Sequence, residues 1–349
     1  MKILLAGNWQ WQIYEISCAE ALRKLGVEVV PFSWNSFFHG IYGKLQRVIP
    51  FAGPSTLRMN VALIRAVEKN RPDVLWIWRG TNILPTTLKT IKKRFGTNII
   101  SYNNDDPFGP KVHKKAPWHH HFYWRIYIKT LPYFDYNFFY RQINVKEAES
   151  CGARSVHLLL PYFVPSIHKS VQLTRKEKIT YECDVVFVGH YEPDGREKSI
   201  RALLASGINV KLWGGKYWSR AVLRDMYESL SPIVPVEGQE YAKALCGAKV
   251  CLCFLSKLNR DTYTRRCFEI PACGKVMLAE RTDDLLHFFK EDEEACFFSS
   301  PEELVRKAQW LIRNPDIREQ IAQAGLRRVW ADGHDVASRA KYFLSVVTH

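Results

Sequence analysis

Residues 250–274 read Val250-Cys251-Leu252-Cys253-Phe254-Leu255-Ser256-Lys257-Leu258-Asn259-Arg260-Asp261-Thr262-Tyr263-Thr264-Arg265-Arg266-Cys267-Phe268-Glu269-Ile270-Pro271-Ala272-Cys273-Gly274. The stretch Val250–Leu255 is apolar throughout, the pattern of a strand covered on both faces. A helix is expected to begin near Thr262–Thr264 and run to Ala272, with Gly274 in the small-residue turn that follows. Such a strand–loop–helix unit sets polar and basic groups at a helix N-terminus on the carboxyl edge of a sheet. Ligands of open α/β folds bind there, and anions gain from free N–H groups and the helix dipole.

The same alternation extends outward in both directions. Cys183–Gly189 opens a second α/β series, continued by strands at Asn209–Trp213 and Val276–Ala279 and helices at Arg196–Ser206 and Tyr241–Cys246. Ser300 N-caps a helix with Pro301 in its first turn and Glu303 three residues after the cap. A first series precedes it: a short apolar run over residues 2–6, a helix over Ile13–Leu25, then strands at Val27–Phe32, Asp73–Trp78, Asn98–Tyr102, Tyr136–Tyr140 and Val156–Leu160. Strands alternating with helices predict parallel sheets. Pro161, Pro165 and the charged stretch Arg175–Lys178 read as a linker. The expected domains are residues 1–165 and 166–330, followed by a C-terminal segment over 331–349.

With 349 residues and a hydrophobic share of 47%, the chain can give each half its own core. Fifty Lys and Arg against 35 Asp and Glu leave a net charge of +15, which favours anionic partners. The basic residues form no tract and no nucleic-acid signature appears, so nucleic acid is not expected as a partner. Nine cysteines with no Cys-x-x-Cys pair, several inside apolar runs, point to a reducing compartment and to neither zinc nor a redox motif. The apolar start is too brief for a signal peptide, and no stretch reaches the roughly 18 apolar residues of a membrane span. A cytoplasmic location is expected.

Arg265 and Arg266 supply fixed positive charge suited to a diphosphate, and Glu269 could accept two hydrogen bonds from a ribose diol. The plainer alternative is a surface helix with an incidental arginine pair. Phe187-Val188-Gly189-His190 turns from strand to loop, and Arg196 follows at a helix start. Gly189 would let backbone approach a nucleotide and Arg196 would pair with phosphate; a turn needing glycine for shape explains the same residues. Trp213 at a strand end reads as a base-stacking platform or as an ordinary strand-end aromatic.

The text Arg266–Gly274 with Leu278-Ala279-Glu280-Arg281-Thr282, Ser299–Leu304, Asn314-Pro315 and Arg327-Arg328-Val329 resembles the glycosyltransferase domain of the CgeB-like spore-maturation proteins. Asp261, seven residues, then Glu269 is similar to the Glu-x7-Glu region of GT-B glycosyltransferases, with Asp in the first position. The likeness is good over about 180–345 and looser over 1–165. It implies a GT-B fold: two Rossmann-like α/β domains whose parallel sheets face across a cleft, with 331–349 forming a C-terminal helix that crosses back to the first domain. It also implies that Glu269 holds the donor's ribose, that Asp261 touches the transferred sugar, and that Gly189, His190, Arg196, Arg265, Arg266 and Gly274 belong to the donor side. The turn after the first strand, Gly7-Asn8-Trp9-Gln10, is not glycine-rich, so no phosphate cradle is assigned there, and retention or inversion stays open.

In the first half, Asn103-Asn104-Asp105-Asp106-Pro107 follows a strand, and Trp78-Arg79-Gly80 sits at an equivalent strand end. Arg79, Asn103 and Asn104 are expected on the acceptor side. Asp105 or Asp106 is either the general base for an acceptor hydroxyl or part of an Asx–Pro turn. His119-His120-His121 are consecutive and point apart on a helix, so a solvated cluster is expected rather than a metal site. The basic-aromatic stretches Lys111–Tyr133 and Phe37–Phe51 would rest on an anionic membrane or wall a cleft.

The expected function is transfer of a sugar from a nucleotide-diphosphate donor to a hydroxyl-bearing glycan or lipid-linked acceptor, with no cofactor and no metal required. A nucleotide-sugar epimerase, a metal-dependent GT-A transferase using the Asn103–Asp106 acids, and a non-catalytic coat or envelope assembly protein are the competing readings.

Overall fold

The computed structural model describes residues 1–109 and 118–348. The chain divides into two compact units, the first of residues 1–161, 258–260 and 336–349, the second of 162–257 and 261–335.

The first unit is built on a six-stranded sheet of β1 (Lys2–Gly7), β2 (Glu28–Ser33), β3 (Val74–Trp78), β4 (Asn98–Asn103), β5 (Tyr136–Phe139) and β6 (Val156–Leu158). The order is β2-β1-β3-β4-β5-β6 and every pairing is parallel. The run Val74–Trp78 is buried at all five positions because helices cover both sheet faces. On one face Leu4, Leu75, Ile77 and Ile99 pack with Leu63 and Val67 of the helix Pro54–Asn70 and Leu88 and Ile91 of the helix Pro85–Phe95. On the other, Trp76 stacks on Phe343 of the helix Val336–Val347 with ring centroids 3.7 Å apart. Each such side chain removed from water contributes about 1.5–3 kcal/mol.

The second unit carries β7 (Cys183–Val188), β8 (Val210–Trp213), β9 (Ala248–Cys253), β10 (Met277–Glu280) and β11 (Cys296–Phe298) in the order β11-β10-β9-β7-β8, again all parallel. Val185, Phe187, Val250, Leu252 and Leu278 share a core with Ile200 and Leu203 of the helix Arg196–Ala205 and with Leu304, Ala308 and Leu311 of the helix Pro301–Arg313. Ser300 caps that last helix by accepting from the Glu303 amide, as the sequence predicts. Both units are therefore parallel Rossmann-like α/β layers.

Two local expectations are corrected. The helix after β1 does not run smoothly from Ile13: a wide turn over Gln12–Ile16, with Tyr14 outside helical geometry, precedes the regular helix Ser17–Lys24. The interruption lets the Glu15 carboxylate turn back onto the Asn8 amide (2.7 Å). The stretch expected as a linker contains the helix Arg175–Tyr181, fixed by a capping box between Thr174 and Glu177.

Candidate functional site

In each sheet the chain leaves its first strand toward one side and returns on the other, so a crevice opens between two neighbouring strand ends. In the second unit that point lies between β7 and β9, whose ends lead into Gly189 and Phe254. Arg266, the first residue of the helix Arg266–Ala272, occupies it. Its Nη2 donates to the Phe254 carbonyl (3.2 Å), its guanidinium lies 5.5 Å from the Phe187 ring centroid, and its buried Nε has no partner. A Cβ on Gly189 would stand 3.1 Å from Arg266 Nη1 and 2.8 Å from the Phe187 ring, so glycine is what lets the arginine reach the strand end. The Gly189 carbonyl is held by the Trp218 indole N–H at 2.7 Å.

Glu269 lies one turn further along, buried, with both oxygens engaged. Arg265 Nε donates to Oε1 (3.0 Å) and the Tyr241 hydroxyl donates to Oε2 (2.8 Å). His168 Nε2 stands 3.6 Å from Oε1. Because the Val164 amide donates to His168 Nδ1 (2.9 Å), the neutral ring carries its proton on Nε2, facing the carboxylate. Burial lowers the His168 pKa, so the ring is neutral near pH 7. Burial works to raise the Glu269 pKa, but the surrounding donors and charges prevail and hold it below its usual value. Arg265 also lies over the Tyr162 ring, 4.7 Å from the centroid.

The remaining donor-side candidates have other surroundings. Arg196 is buried and grips Asp194 through Nε (2.9 Å) and Nη2 (2.5 Å), while Nη1 donates to the His190 carbonyl (2.8 Å). It thereby fixes the loop after β7. His190 itself is largely exposed beside Glu192 (3.5 Å), whose other oxygen accepts from the Ser256 hydroxyl (2.8 Å). Gly274 has φ +68, a left-handed turn that ends its helix. The Asp261 amide donates to the Ser256 carbonyl (2.9 Å). Trp213 is buried against Tyr181, the ordinary strand-end arrangement.

In the first unit the corresponding point lies between β1 and β3. Arg79, in left-handed backbone just after β3, pairs with Asp105 (2.5 Å) and reaches the Tyr123 hydroxyl (3.5 Å). Asn103 is fully buried and its Oδ1 accepts from the Asp105 amide (3.0 Å). The Asn104 carbonyl accepts from Arg141 (3.0 Å). Asp106 is saturated. Its Oδ1 accepts from the amides of Phe108 (3.0 Å) and Gly109 (2.8 Å), from Asn144 Nδ2 (2.8 Å) and from Arg260 Nη2 (2.9 Å), and its Oδ2 from Arg260 Nε (2.5 Å). Asp106 thus forms the Asx turn, and Asp105, partly exposed, is the carboxylate left at the sheet edge.

Pro107, two residues after Asp105, lines an open hollow of about 200 Å³ with Trp124 and Ile128 on its apolar side and His121, Arg125 and Lys129 among its polar lining. Of the stretch Lys111–Tyr133, residues 111–117 lie outside the described residues. Among the described residues no group of three or more His, Cys, Asp or Glu side chains is placed to hold a metal ion, the histidine triplet included.

Glu15 was not singled out in the sequence. It is buried at this same edge, so close to Gly7 that a Cβ there would stand within 2.3 Å of its carboxylate. Burial raises its pKa, although the amides of Asn8 and Trp9 and the charge of Arg79 act against the rise. The non-glycine-rich turn after β1 thus holds an internal carboxylate where other α/β folds hold phosphate.

Residues 196–345 match the family model described as glycosyl transferase-like. No curated protein matches the sequence. Among solved structures, sucrose-phosphate synthase from Thermosynechococcus elongatus is similar over 100% of this chain and 98% of its own, with a TM-score of 0.71 and 14% identity. HepE from Anabaena, solved in complex with UDP-glucose, is similar over 100% and 99%, with a TM-score of 0.67 and 12% identity. A glycosyltransferase from Rickettsia africae covers 99% and 97%, with a TM-score of 0.67 and 10% identity. The likeness to these structures shows a GT-B fold.

Proposed function

We propose that this chain transfers a sugar from a nucleotide-diphosphate donor to a hydroxyl-bearing glycan or lipid-linked acceptor, in the manner of the CgeB-like transferases it resembles. The observation that carries the reading is Arg266. Its half-buried cation, with a buried and unpartnered Nε, sits at the point between β7 and β9 where open α/β sheets bind ligands. The family match spans that helix, and the presence of UDP-glucose in HepE supports a uridine nucleotide as donor.

In this reading Arg266, with Arg265, faces the diphosphate, whose negative charge grows as the glycosidic bond breaks. Cations fixed before the reaction stabilise that transition state more than the ground state. Glu269 orients Arg265 and keeps acceptor lone pairs for the ribose, Gly189 brings the strand end close, and Asp261 serves the transferred sugar. Arg196 acts on the donor side indirectly, by holding the loop that carries His190. Asp105 is the general base and Arg79 aligns it, while the lining of the hollow at Pro107 suits an acceptor bearing phosphate or carboxylate. No metal is needed where arginines carry the charge.

The test is a thermal-shift screen against UDP, GDP, ADP, CMP and dTDP. UDP is expected to raise the melting midpoint, and Arg266→Ala to remove the rise. A screen in which no nucleotide stabilises the fold would overturn the reading. Donor incubated without acceptor should give slow hydrolysis and no epimer.

A further inference from the structure

The helix Gly40–Val48 is anchored on one side and apolar on the side it shows to water. Its buried Gln46 accepts from the amides of Ser55 and Thr56 (both 3.1 Å), tying it to the start of the helix Pro54–Asn70. Gly43 packs so closely on Phe38 that a Cβ would stand 2.6 Å from backbone. The helix is therefore held in place, yet Ile41 is 84% and Tyr42 81% exposed, with Leu45 and Val48 exposed on the same side. Phe51, and Leu57 and Val61 of the following helix, are exposed as well.

Surface helices normally turn such a stripe inward, and a contiguous apolar face of this kind marks an interaction surface. Its charge identifies the partner. No Asp or Glu occurs between Glu28 and Glu68, while Lys44, Arg47, Arg58 and Arg65 are all exposed within that interval. Apolar side chains interleaved with uncompensated cations on a fixed helix are the composition of an interfacial helix that lies in the headgroup region. A partner protein with a matching apolar groove would need acids to meet four cations; a bilayer carrying anionic lipid meets both requirements at once.

We infer that the face formed by Gly40–Val48 and the exposed side of Pro54–Asn70 docks the protein on an anionic lipid bilayer. The inference goes beyond the transferase reading and does not rest on it, because docking needs neither donor nor acceptor.

The experiment is co-sedimentation of the full chain with vesicles of phosphatidylcholine alone and of phosphatidylcholine containing one third phosphatidylglycerol. Binding is expected to the anionic vesicles and to weaken as salt rises. Lys44→Glu with Arg47→Glu should reduce the affinity at least about 25-fold, at about fivefold per cation removed. Ile41→Asp with Leu45→Asp should remove binding while leaving the melting midpoint and UDP affinity unchanged, since both side chains are exposed. Equal binding to both vesicle types, or sedimentation unchanged in both double variants, would overturn the inference. So would a dimer in analytical ultracentrifugation that Ile41→Asp dissolves, which would assign the face to a second copy. Loss of UDP binding with vesicle binding intact would count against the transferase reading alone.

Discussion

Arg196 separates a phosphate ligand from a structural clamp, and Arg196→Ala tests which it is. Its side chain is 2% exposed, and that of its partner Asp194 only 7%. Truncation leaves the Asp194 carboxylate buried with two charge-assisted hydrogen bonds gone, and removes the donor to the His190 carbonyl as well. Breaking a buried pair by deleting one partner costs about 3–5 kcal/mol, and the loss of contact with the Phe187 and Phe254 rings adds to it. Urea denaturation followed by circular dichroism should therefore show a stability loss of at least about 3 kcal/mol with an unchanged m-value. Arg196→Lys should recover little, because an ammonium cannot make the two-pronged contact. UDP affinity, measured where the variant is still folded, should fall by less than about tenfold. A variant as stable as the parent that has lost UDP binding would refute the clamp and return Arg196 to the phosphate.

Asp105→Asn should lower turnover about 10²- to 10⁴-fold with UDP affinity unchanged, whereas Asp106→Asn should lower stability by roughly 3–5 kcal/mol, since it weakens the buried pair with Arg260; denaturation and steady-state kinetics on both variants check the split. Glu269→Ala should weaken UDP binding about ten- to a hundredfold in calorimetry, because Arg265 and Tyr241 lose the carboxylate that holds them. Glu15 adds a pH dependence whose sign follows from its raised pKa. The folded state binds its proton more tightly than the unfolded chain, so this group's stabilisation is full below the unfolded value of 4.5 and is lost as pH rises through the folded value. Denaturation midpoints across that window should fall less steeply in Glu15→Gln than in the parent. Activity should survive EDTA, assayed with donor and acceptor at saturation.

The alternation of strands and helices was readable because each parallel strand is buried on both faces and each helix carries its own stop, as Gly96 in left-handed backbone shows after Pro85–Phe95. The position of Arg266 and Glu269 at a sheet edge followed from the same periodicity. The partners of those side chains did not. Tyr241 stands 28 residues from Glu269, and His168 comes from a segment with no regular pattern. Arg260 and Asp106 meet across 154 residues. Local pattern therefore left Asp105 and Asp106 equal, and only the tertiary hydrogen bonds distinguish them. Glu15 was hidden for another reason: a lone acid near a helix start reads as a solvated first-turn residue, and only the kinked turn at Tyr14 aims it inward.

Calorimetric titration of UDP into the parent protein and into Arg266→Gln tests whether the Arg266 cation at the end of β7 and β9 binds the nucleotide. Saturable binding to the parent is expected, with a loss of about ten- to a hundredfold in the variant and the thermal midpoint of the unliganded fold little changed. Equal affinity in the two proteins, or no heat of binding in either, would contradict it.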